Sequence, residues 1–180
     1  MINTQTKMII LDRDGTLIKS IPYLHDSSLV ELLPGAGDNL RFLSNYGFTF
    51  VIATNQSAVG RNFATISEVE STNLRVIQLL SEFEVRIEKV IFCPHAPSMY
   101  CLCRKPKPGM GIELIKQFKS KKKNTMVIGD QITDIEFASA LGVKSILLSN
   151  QPHMKGLPIT TEICSSWDEI SQTVIRLMTL

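Results

Sequence analysis

Two aspartates separated by one residue carry the strongest chemical signal in the sequence. Asp12 and Asp14 directly follow the apolar run of residues 8–11, which is typical of a buried parallel strand. Side chains two positions apart in extended chain point in the same direction. Two carboxylates that close repel one another unless a cation lies between them or one keeps a proton. The pair indicates a metal or acid–base site, although Asp14-Gly15 by itself also fits a polar turn.

Two further apolar runs also end in polar residues. Residues 48–53 lead into Thr54 and Asn55, and residues 125–129 lead into Asp130. Parallel strands deliver their carboxyl ends to one edge of a sheet, so we expect these side chains to join the aspartate pair there. Carboxylate oxygens at such an edge are the ligands that Mg²⁺ prefers, together with the phosphate oxygens of a substrate.

A basic pair, Arg104 and Lys105, completes the set if its loop folds back over this edge. The two positive charges and the Thr54 hydroxyl would stabilise the equatorial oxygens of a phosphoryl group. The sequence therefore indicates phosphoryl transfer supported by a divalent cation.

Strands alternate with helices along the chain. Periodicity predicts strands at residues 8–11, 48–53, 86–92, 125–129 and 143–148, and helices near residues 35–46, 67–83, 109–119 and 167–177. The second helix is predicted to start at a capping box of Ser67 and Glu70, and residues 150–165 are predicted to be a loop. The pattern is that of an α/β protein with a Rossmann-like parallel sheet, helices on both faces, and a single domain over residues 1–180.

The composition argues against several other classes of protein. A net charge of +2 gives no reason to expect nucleic-acid or membrane binding, and no apolar run approaches the roughly 18 residues of a membrane span. Residues 1–7 are polar and lack a signal region, which favours the cytoplasm. We expect a cytoplasmic monomer with a small-molecule substrate and with neither nucleic acid nor a membrane as partner.

A second cluster of chemically active residues lies between the third strand and the basic pair. Cys93, His95, Cys101 and Cys103 offer three thiolates and one imidazole, the donor set of a structural Zn²⁺ site. Their C-x-H and C-x-C spacings are tighter than the usual zinc pairs, and free thiols are the alternative. Three of the four cysteines cluster beside a histidine, while Cys164 lies far away in the sequence. This pattern favours a metal site over disulfide bonds.

Four short motifs in this order give the sequence a family resemblance. They are Asp-x-Asp-Gly-Thr at residues 12–16, Thr-Asn-Gln-Ser at 54–57, Arg-Lys-Pro-Lys-Pro-Gly-Met at 104–110 and Gly-Asp-Gln-x-x-Asp at 129–134. Over residues 8–148 the chain resembles the haloacid dehalogenase superfamily of phosphatases. Within it, the chain is most similar to the histidinol-phosphate and heptose-bisphosphate phosphatases, through residues 11–16, 23–26, 33–35, 54–57, 60–61, 93–95 and 101–106.

The resemblance implies a role for each acidic residue. Asp12 would be the nucleophile that forms an aspartyl-phosphate, and Asp14 would be the general acid and base. Mg²⁺ would be held by Asp12, by the main-chain carbonyl of Asp14 and by Asp130, and would offset the repulsion between the nucleophile and the phosphate.

The resemblance also implies the substrate-binding residues. Thr54 and Lys105 would hold the transferring phosphoryl group with Asn55 beside them, and Arg104 would recognise the rest of the substrate. Asp14 and Thr54 are forty positions apart, so no inserted cap domain fits between them. The expected fold is a capless haloacid dehalogenase fold in which the zinc-binding loop shapes the pocket wall and braces the basic pair.

Several residues keep two interpretations. Tyr23 and His25 fit either substrate contact from a flap or simple packing. Gln131 stands where heptose-bisphosphate phosphatases commonly carry Lys, which bears on the recognition of a second phosphate. Asp134 fits helix capping better than metal binding, and His153 fits a structural or exposed role.

The function that the resemblance implies is Mg²⁺-dependent hydrolysis of a sugar phosphate. The first hypothesis is removal of the C7 phosphate of D-glycero-D-manno-heptose 1,7-bisphosphate, a step toward lipopolysaccharide or other surface glycans. Histidinol phosphate is the alternative substrate. A polynucleotide 3′-phosphatase and a non-catalytic binding module are weaker alternatives, because the chain lacks a basic groove signature and keeps an intact set of acidic and basic motif residues.

Overall fold

A computed structural model describes residues 6–151 and 156–178. Within this part of the chain six parallel strands form one sheet, in the spatial order β3-β2-β1-β4-β5-β6. The strands are β1 (Lys7–Leu11), β2 (Phe48–Asn55), β3 (Ile87–Cys93), β4 (Thr125–Gly129), β5 (Lys144–Leu148) and β6 (Thr161–Cys164). The order in which strands are added to the sheet reverses between β1 and β4, and such a switch point is where open α/β sheets bind their ligands.

The helices cover both faces of this sheet. They are α1 (Ala36–Ser44), α2 (Ser57–Gly60), α3 (Ile66–Ser81), α4 (Gly109–Gln117), α5 (Ile132–Leu141) and α6 (Trp167–Met178). Alternate residues of β1 belong to two separate cores, since Ile9 packs with residues of α1, α3 and α6, and Ile10 packs with residues of α4 and α5. The predicted α/β fold with helices on both faces is confirmed.

Two local predictions were wrong. Helix α3 begins at a capping box of Thr65 and Glu68, in which the Glu68 carboxylate accepts from the Thr65 N–H at 2.7 Å, and not at Ser67 and Glu70. Both pairs have the same spacing, but Thr65 has the extended backbone that an N-cap requires.

The predicted loop of residues 150–165 contains an additional strand. Residues Thr161–Cys164 pair in parallel with β5 at the edge of the sheet. The segment is only four residues long and does not alternate clearly between apolar and polar residues, so periodicity could not identify it. His153 lies outside the described residues.

The chain has no separate cap in the described segments between motifs. Residues 12–47 contain only a short 3-10 turn at Ser27–Leu29 and helix α1 as helical elements. Residues 56–104 contain α2, α3, β3, a second short turn and the Cys/His loop. Among the described helices, none is both long and apolar enough to cross a membrane.

Candidate active site

The carboxyl edge of the sheet holds a cavity of about 340 Å³. The lining residues include every residue predicted for catalysis, substrate binding or magnesium: Asp12, Asp14, Thr54, Asn55, Arg104, Lys105 and Asp130. A larger cavity of about 470 Å³ shares Asp130 but has no basic side chain among the described residues that line it. A phosphate group therefore fits the smaller cavity, where both cations lie.

Lys105 is the buried cation at the centre of this cavity. Its ammonium group donates to Asp12 Oδ1 at 2.5 Å and to Asp134 Oδ1 at 2.6 Å. Burial lowers the pKa of Lys105, but the two carboxylates outweigh it and raise the pKa above its ordinary value. Lys105 therefore remains charged, as a buried ammonium group requires carboxylate partners.

Asp134 connects this ion pair to helix α5. Its Oδ2 accepts from the main-chain N–H of Gln131 at 3.1 Å, which caps the helix. The other oxygen holds Lys105, and the side chain is 1% exposed. Asp134 is thus a helix cap that also orients the cation, in line with the capping interpretation of the sequence.

Asp12 lies in an environment that opposes its charge. Burial raises the pKa of Asp12 to about 7, since Asp134 and Asp14 add to the effect and the pairing with Lys105 only partly offsets it. A carboxylate nucleophile needs to be ionised. A second cation beside Asp12 would stabilise its ionised form.

Three carboxylates are placed to bind such a cation. The ligand oxygens of Asp12, Asp130 and Asp134 all lie within 4.8 Å of one another. Burial, followed by the charge of Asp134, raises the pKa of Asp130. An all-oxygen donor set with excess negative charge fits a hard divalent ion such as Mg²⁺. The Asp14 carboxylate lies outside this cluster, which is compatible with a ligand role for its main-chain carbonyl only.

The end of strand β2 prepares the phosphoryl-binding groups. Gln56 donates from Nε2 to Thr54 Oγ1 at 2.9 Å, so the hydroxyl of Thr54 is free to donate its own proton to a ligand. The Asn55 side chain pairs with the backbone of Lys105 in both directions, at 3.1 and 3.0 Å. Strand β2 therefore fixes the loop that carries Lys105.

Sequence reasoning gave no role to two residues that contact Asp14. Arg13 and Gln56 both donate to the Asp14 carboxylate, Arg13 at 3.1 Å from Nε and Gln56 at 2.8 Å from Nε2. Both lie inside the motifs that carry the resemblance, so their position was the only available signal.

The Cys/His loop, residues 93–103, brings its four predicted ligands together. Cys103 Sγ lies 3.3 Å from Cys93 Sγ and 3.5 Å from Cys101 Sγ, and His95 Nδ1 lies 3.2 Å from Cys103 Sγ. Tetrahedral zinc with Zn–S bonds of about 2.3 Å places sulfurs a little under 4 Å apart. The four donors form a closed set that fits one Zn²⁺ ion.

The thiols of this loop differ in acidity. Burial raises the pKa of the Cys93 thiol to about 12. Burial acts on Cys101 in the same direction, but hydrogen bonds from the Arg104 N–H and from Cys93 outweigh it and lower the pKa to about 6. A shared cation is required to hold all three sulfurs as thiolates in so small a volume.

The loop is tied directly to the active site. The carbonyl of Cys93 accepts from the Gln56 N–H at 2.8 Å, and Arg104 Nη1 donates to the His95 carbonyl at 3.5 Å. Arg104 and Lys105 follow Cys103 without a break. A distortion of the loop therefore moves both cations.

Of the two residues predicted to contact substrate from a flap, Tyr23 lies beside the catalytic cavity and His25 does not. Tyr23 lines an adjoining cavity of about 210 Å³ together with Asp14 and Gln56, and its ring packs against Phe63 with centroids 4.8 Å apart. His25 is exposed and contacts the Tyr23 carbonyl through Nδ1 at 2.9 Å. Tyr23 is therefore positioned for substrate contact as well as packing, and His25 is not part of the cavity wall.

Comparisons with known proteins give consistent results. A family model described as HAD-hyrolase-like matches residues 102–156. The chain is 31% identical to a D-glycero-beta-D-manno-heptose-1,7-bisphosphate 7-phosphatase of Neisseria meningitidis over 179 residues, covering 94% of this chain and 95% of that protein. It is 33% identical to a histidine biosynthesis bifunctional protein HisB of Legionella pneumophila, covering 79% of this chain and 41% of that longer protein.

A solved structure shares the fold. The D,D-heptose 1.7-bisphosphate phosphatase from B. bronchiseptica, complexed with magnesium and phosphate, superposes with a TM-score of 0.87 at 25% identity. The match covers 95% of this chain and 99% of that one.

Proposed function

Because the chain belongs to the haloacid dehalogenase superfamily of phosphatases, we propose that it removes the C7 phosphate of D-glycero-D-manno-heptose 1,7-bisphosphate. The observation that carries this proposal is the cavity in which Lys105 links Asp12 to Asp134 beside Thr54 and Arg104. The choice of substrate follows the relatives that match nearly the whole chain, which are heptose bisphosphate phosphatases.

The side chains of the cavity divide the reaction between them. Asp12 attacks phosphorus and forms an aspartyl-phosphate, while Asp14 delivers a proton to the leaving sugar oxygen. Asp14 then takes a proton from the water that hydrolyses the acyl phosphate. Lys105 and the free O–H of Thr54 bind the oxygens of the phosphoryl group, with Asn55 fixing Lys105 and Arg104 facing the rest of the substrate.

The metal assignment follows from the carboxylate cluster. Asp12 and Asp130, with the carbonyl of Asp14, would hold Mg²⁺, and Asp134 stays with Lys105. When bound, the ion supplies positive charge that offsets the repulsion between the nucleophile and an anionic phosphate. The magnesium in the B. bronchiseptica enzyme supports the choice of metal.

Zn²⁺ in the Cys/His loop is proposed as a structural ion. Three sulfurs and one imidazole leave no open position for catalysis. The described cysteines are all free thiols, which suits a reducing compartment, so we also propose a cytoplasmic location.

Loss of zinc should reduce activity by displacing Arg104 and Lys105. Cys101→Ser is expected to lower zinc content and to reduce kcat/KM by about tenfold or more, measured with Mg²⁺ in excess. Cys164→Ser is the matched control, because Cys164 is equally a free thiol but lies outside the Cys/His loop. Full activity in protein shown to be free of zinc would contradict this role.

Histidinol phosphate remains the second candidate substrate. The HisB relative supports it, and so does Gln131, which lines the cavity where a lysine could bind a second phosphate. Lys107 does not line this cavity, and its ammonium group donates to the carbonyls of Tyr100 and Cys101.

Phosphate release from the two compounds, measured side by side, tests the proposal. We expect kcat/KM for the heptose bisphosphate to exceed that for histidinol phosphate by about 100-fold, a difference of nearly 3 kcal/mol. The reverse preference would assign the enzyme to histidinol phosphate. Equally poor turnover of both would reject both substrates.

A further inference from the structure

Arg13 lies between the two catalytic aspartates in the sequence, and its guanidinium group is fully buried. The residue is 0% exposed, and in the described part of the chain its ion-pair partner is Asp14. Its Nε donates to Asp14 Oδ2 and its Nη2 donates to Asp14 Oδ1, both at 3.1 Å. A fork of this kind fixes the plane of a carboxylate as well as its position.

Helix α3 holds the other side of the guanidinium. Asn73 Oδ1 accepts from Arg13 Nη1 at 2.7 Å, in a contact between buried side chains. Asn73 belongs to the inward face of α3 and does not line the catalytic cavity. Among the contacts of the described residues, Asn73 is linked to Asp14 through Arg13.

The hydrogen bonds distinguish the two oxygens of Asp14. Oδ2 accepts from Arg13 Nε and from Gln56 Nε2, which occupies both of its lone pairs. Oδ1 accepts only from Arg13 Nη2 among the side chains of the described residues. One lone pair of Oδ1 is therefore left for a proton.

We propose that Arg13, anchored by Asn73, is the positioning residue of the acid–base group and holds Asp14 so that Oδ1 exchanges the proton with the leaving oxygen. The inference rests on the acid–base role proposed above for Asp14. It adds an anchor on α3, sixty positions away in sequence, to the reaction.

The proposal predicts a dependence on the leaving group. An alkyl phosphate leaves as a basic alkoxide and needs a proton, whereas p-nitrophenyl phosphate leaves as a stable phenolate and does not. The parameter kcat/KM covers the steps up to formation of the aspartyl-phosphate, so the later need for a base does not enter. The value of kcat/KM for the alkyl phosphate divided by that for p-nitrophenyl phosphate, called the ester ratio below, therefore measures proton delivery.

Asn73→Leu is the principal test. It removes the acceptor of Arg13 Nη1, and we expect kcat/KM for the heptose bisphosphate to fall about 10- to 100-fold, part of the roughly 10²–10⁴-fold that acid catalysis contributes. For p-nitrophenyl phosphate the loss should stay below about threefold. Arg13→Lys, which keeps the charge but loses the fork, should change the ester ratio in the same direction and decides the question if Asn73→Leu does not fold.

Asn39→Leu is the matched control. Asn39 is also a buried amide on a helix, but it bonds Gly35, Asp168 and Ser171, away from the catalytic cavity. It should lower the melting temperature without changing the ester ratio. Equal losses on both esters in folded Asn73→Leu and Arg13→Lys would overturn the proposal.

Asp14→Asn separates this inference from the proposal on which it rests. It should lower the ester ratio more than Asn73→Leu or Arg13→Lys does. If Asp14→Asn affects both esters equally, the acid–base role of Asp14 fails and the inference falls with it. If the wild-type enzyme prefers histidinol phosphate, that compound serves as the alkyl ester and the test is unchanged.

Discussion

Replacing Asp12 with asparagine is expected to abolish turnover while leaving the fold intact. Asn keeps the size of the side chain but cannot attack phosphorus, so kcat should fall by a factor on the order of 10⁵. The asparagine amide oxygen can still accept from Lys105, which also keeps its bond to Asp134. Phosphate release and mass spectrometry of the phosphorylated intermediate measure the effect.

The same variant should be more stable than the wild type at alkaline pH without added Mg²⁺. Burial raises the pKa of Asp12 to about 7, so the wild-type fold loses stability as the pH rises from the ordinary carboxyl range through 7 and this group ionises. Asparagine has no such loss. The difference in melting temperature should be largest at pH 8 and should shrink as the pH falls below 7.

Asp38→Asn is the control for both measurements. Asp38 is exposed on α1 and lies outside the cavity, so its removal should change neither turnover nor the pH dependence of stability. Phosphate release at the wild-type rate in Asp12→Asn would mean that Asp12 is not the nucleophile. A wild-type protein that itself releases no phosphate would instead favour a binding module with a non-catalytic pocket.

The predictable part of the site lies at the ends of the strands. Asp12, Thr54 and Asp130 each follow an apolar run, and a parallel sheet brings such positions to one edge whatever the details of packing. Lys105 could be placed there only on the condition that its irregular loop folds back over the edge, and the family resemblance supported that condition. The Cys/His donor set was visible from residue types alone.

The unpredicted parts depend on contacts distant in sequence. Nothing in the sequence indicates that Asn73 of α3 meets Arg13, since any polar residue on that helix face is an equal candidate. Strand β6 exists because the edge of β5 offers it hydrogen-bond partners, which is a tertiary effect and not a local preference. The N-cap of α3 was misplaced by two residues because two sequences with capping-box spacing overlap there.

Lys105→Met tests whether the central cation holds the site together. Two carboxylates, Asp12 and Asp134, would then lie buried and close without their shared partner. Breaking a buried ion pair in this way costs about 3–5 kcal/mol of unfolding free energy. Loss of its charge at the phosphoryl group should lower kcat by about 10³-fold. Lys116→Met, an exposed position on α4, is the control for loss of a lysine.

The pH dependence and a second substitution distinguish charge repulsion from lost packing. Without Lys105 the pKa of Asp12 should rise further, so the folded state gains stability from protonation of Asp12 at low pH and loses it as the pH increases. The variant should therefore be less destabilised at pH 5 than at pH 8. Adding Asp134→Asn should restore part of the stability at pH 8, because one buried charge is gone, but none of the activity. A destabilisation that does not vary with pH would mean that the Lys105 side chain acts through packing, and that its two carboxylate contacts do not hold the site together.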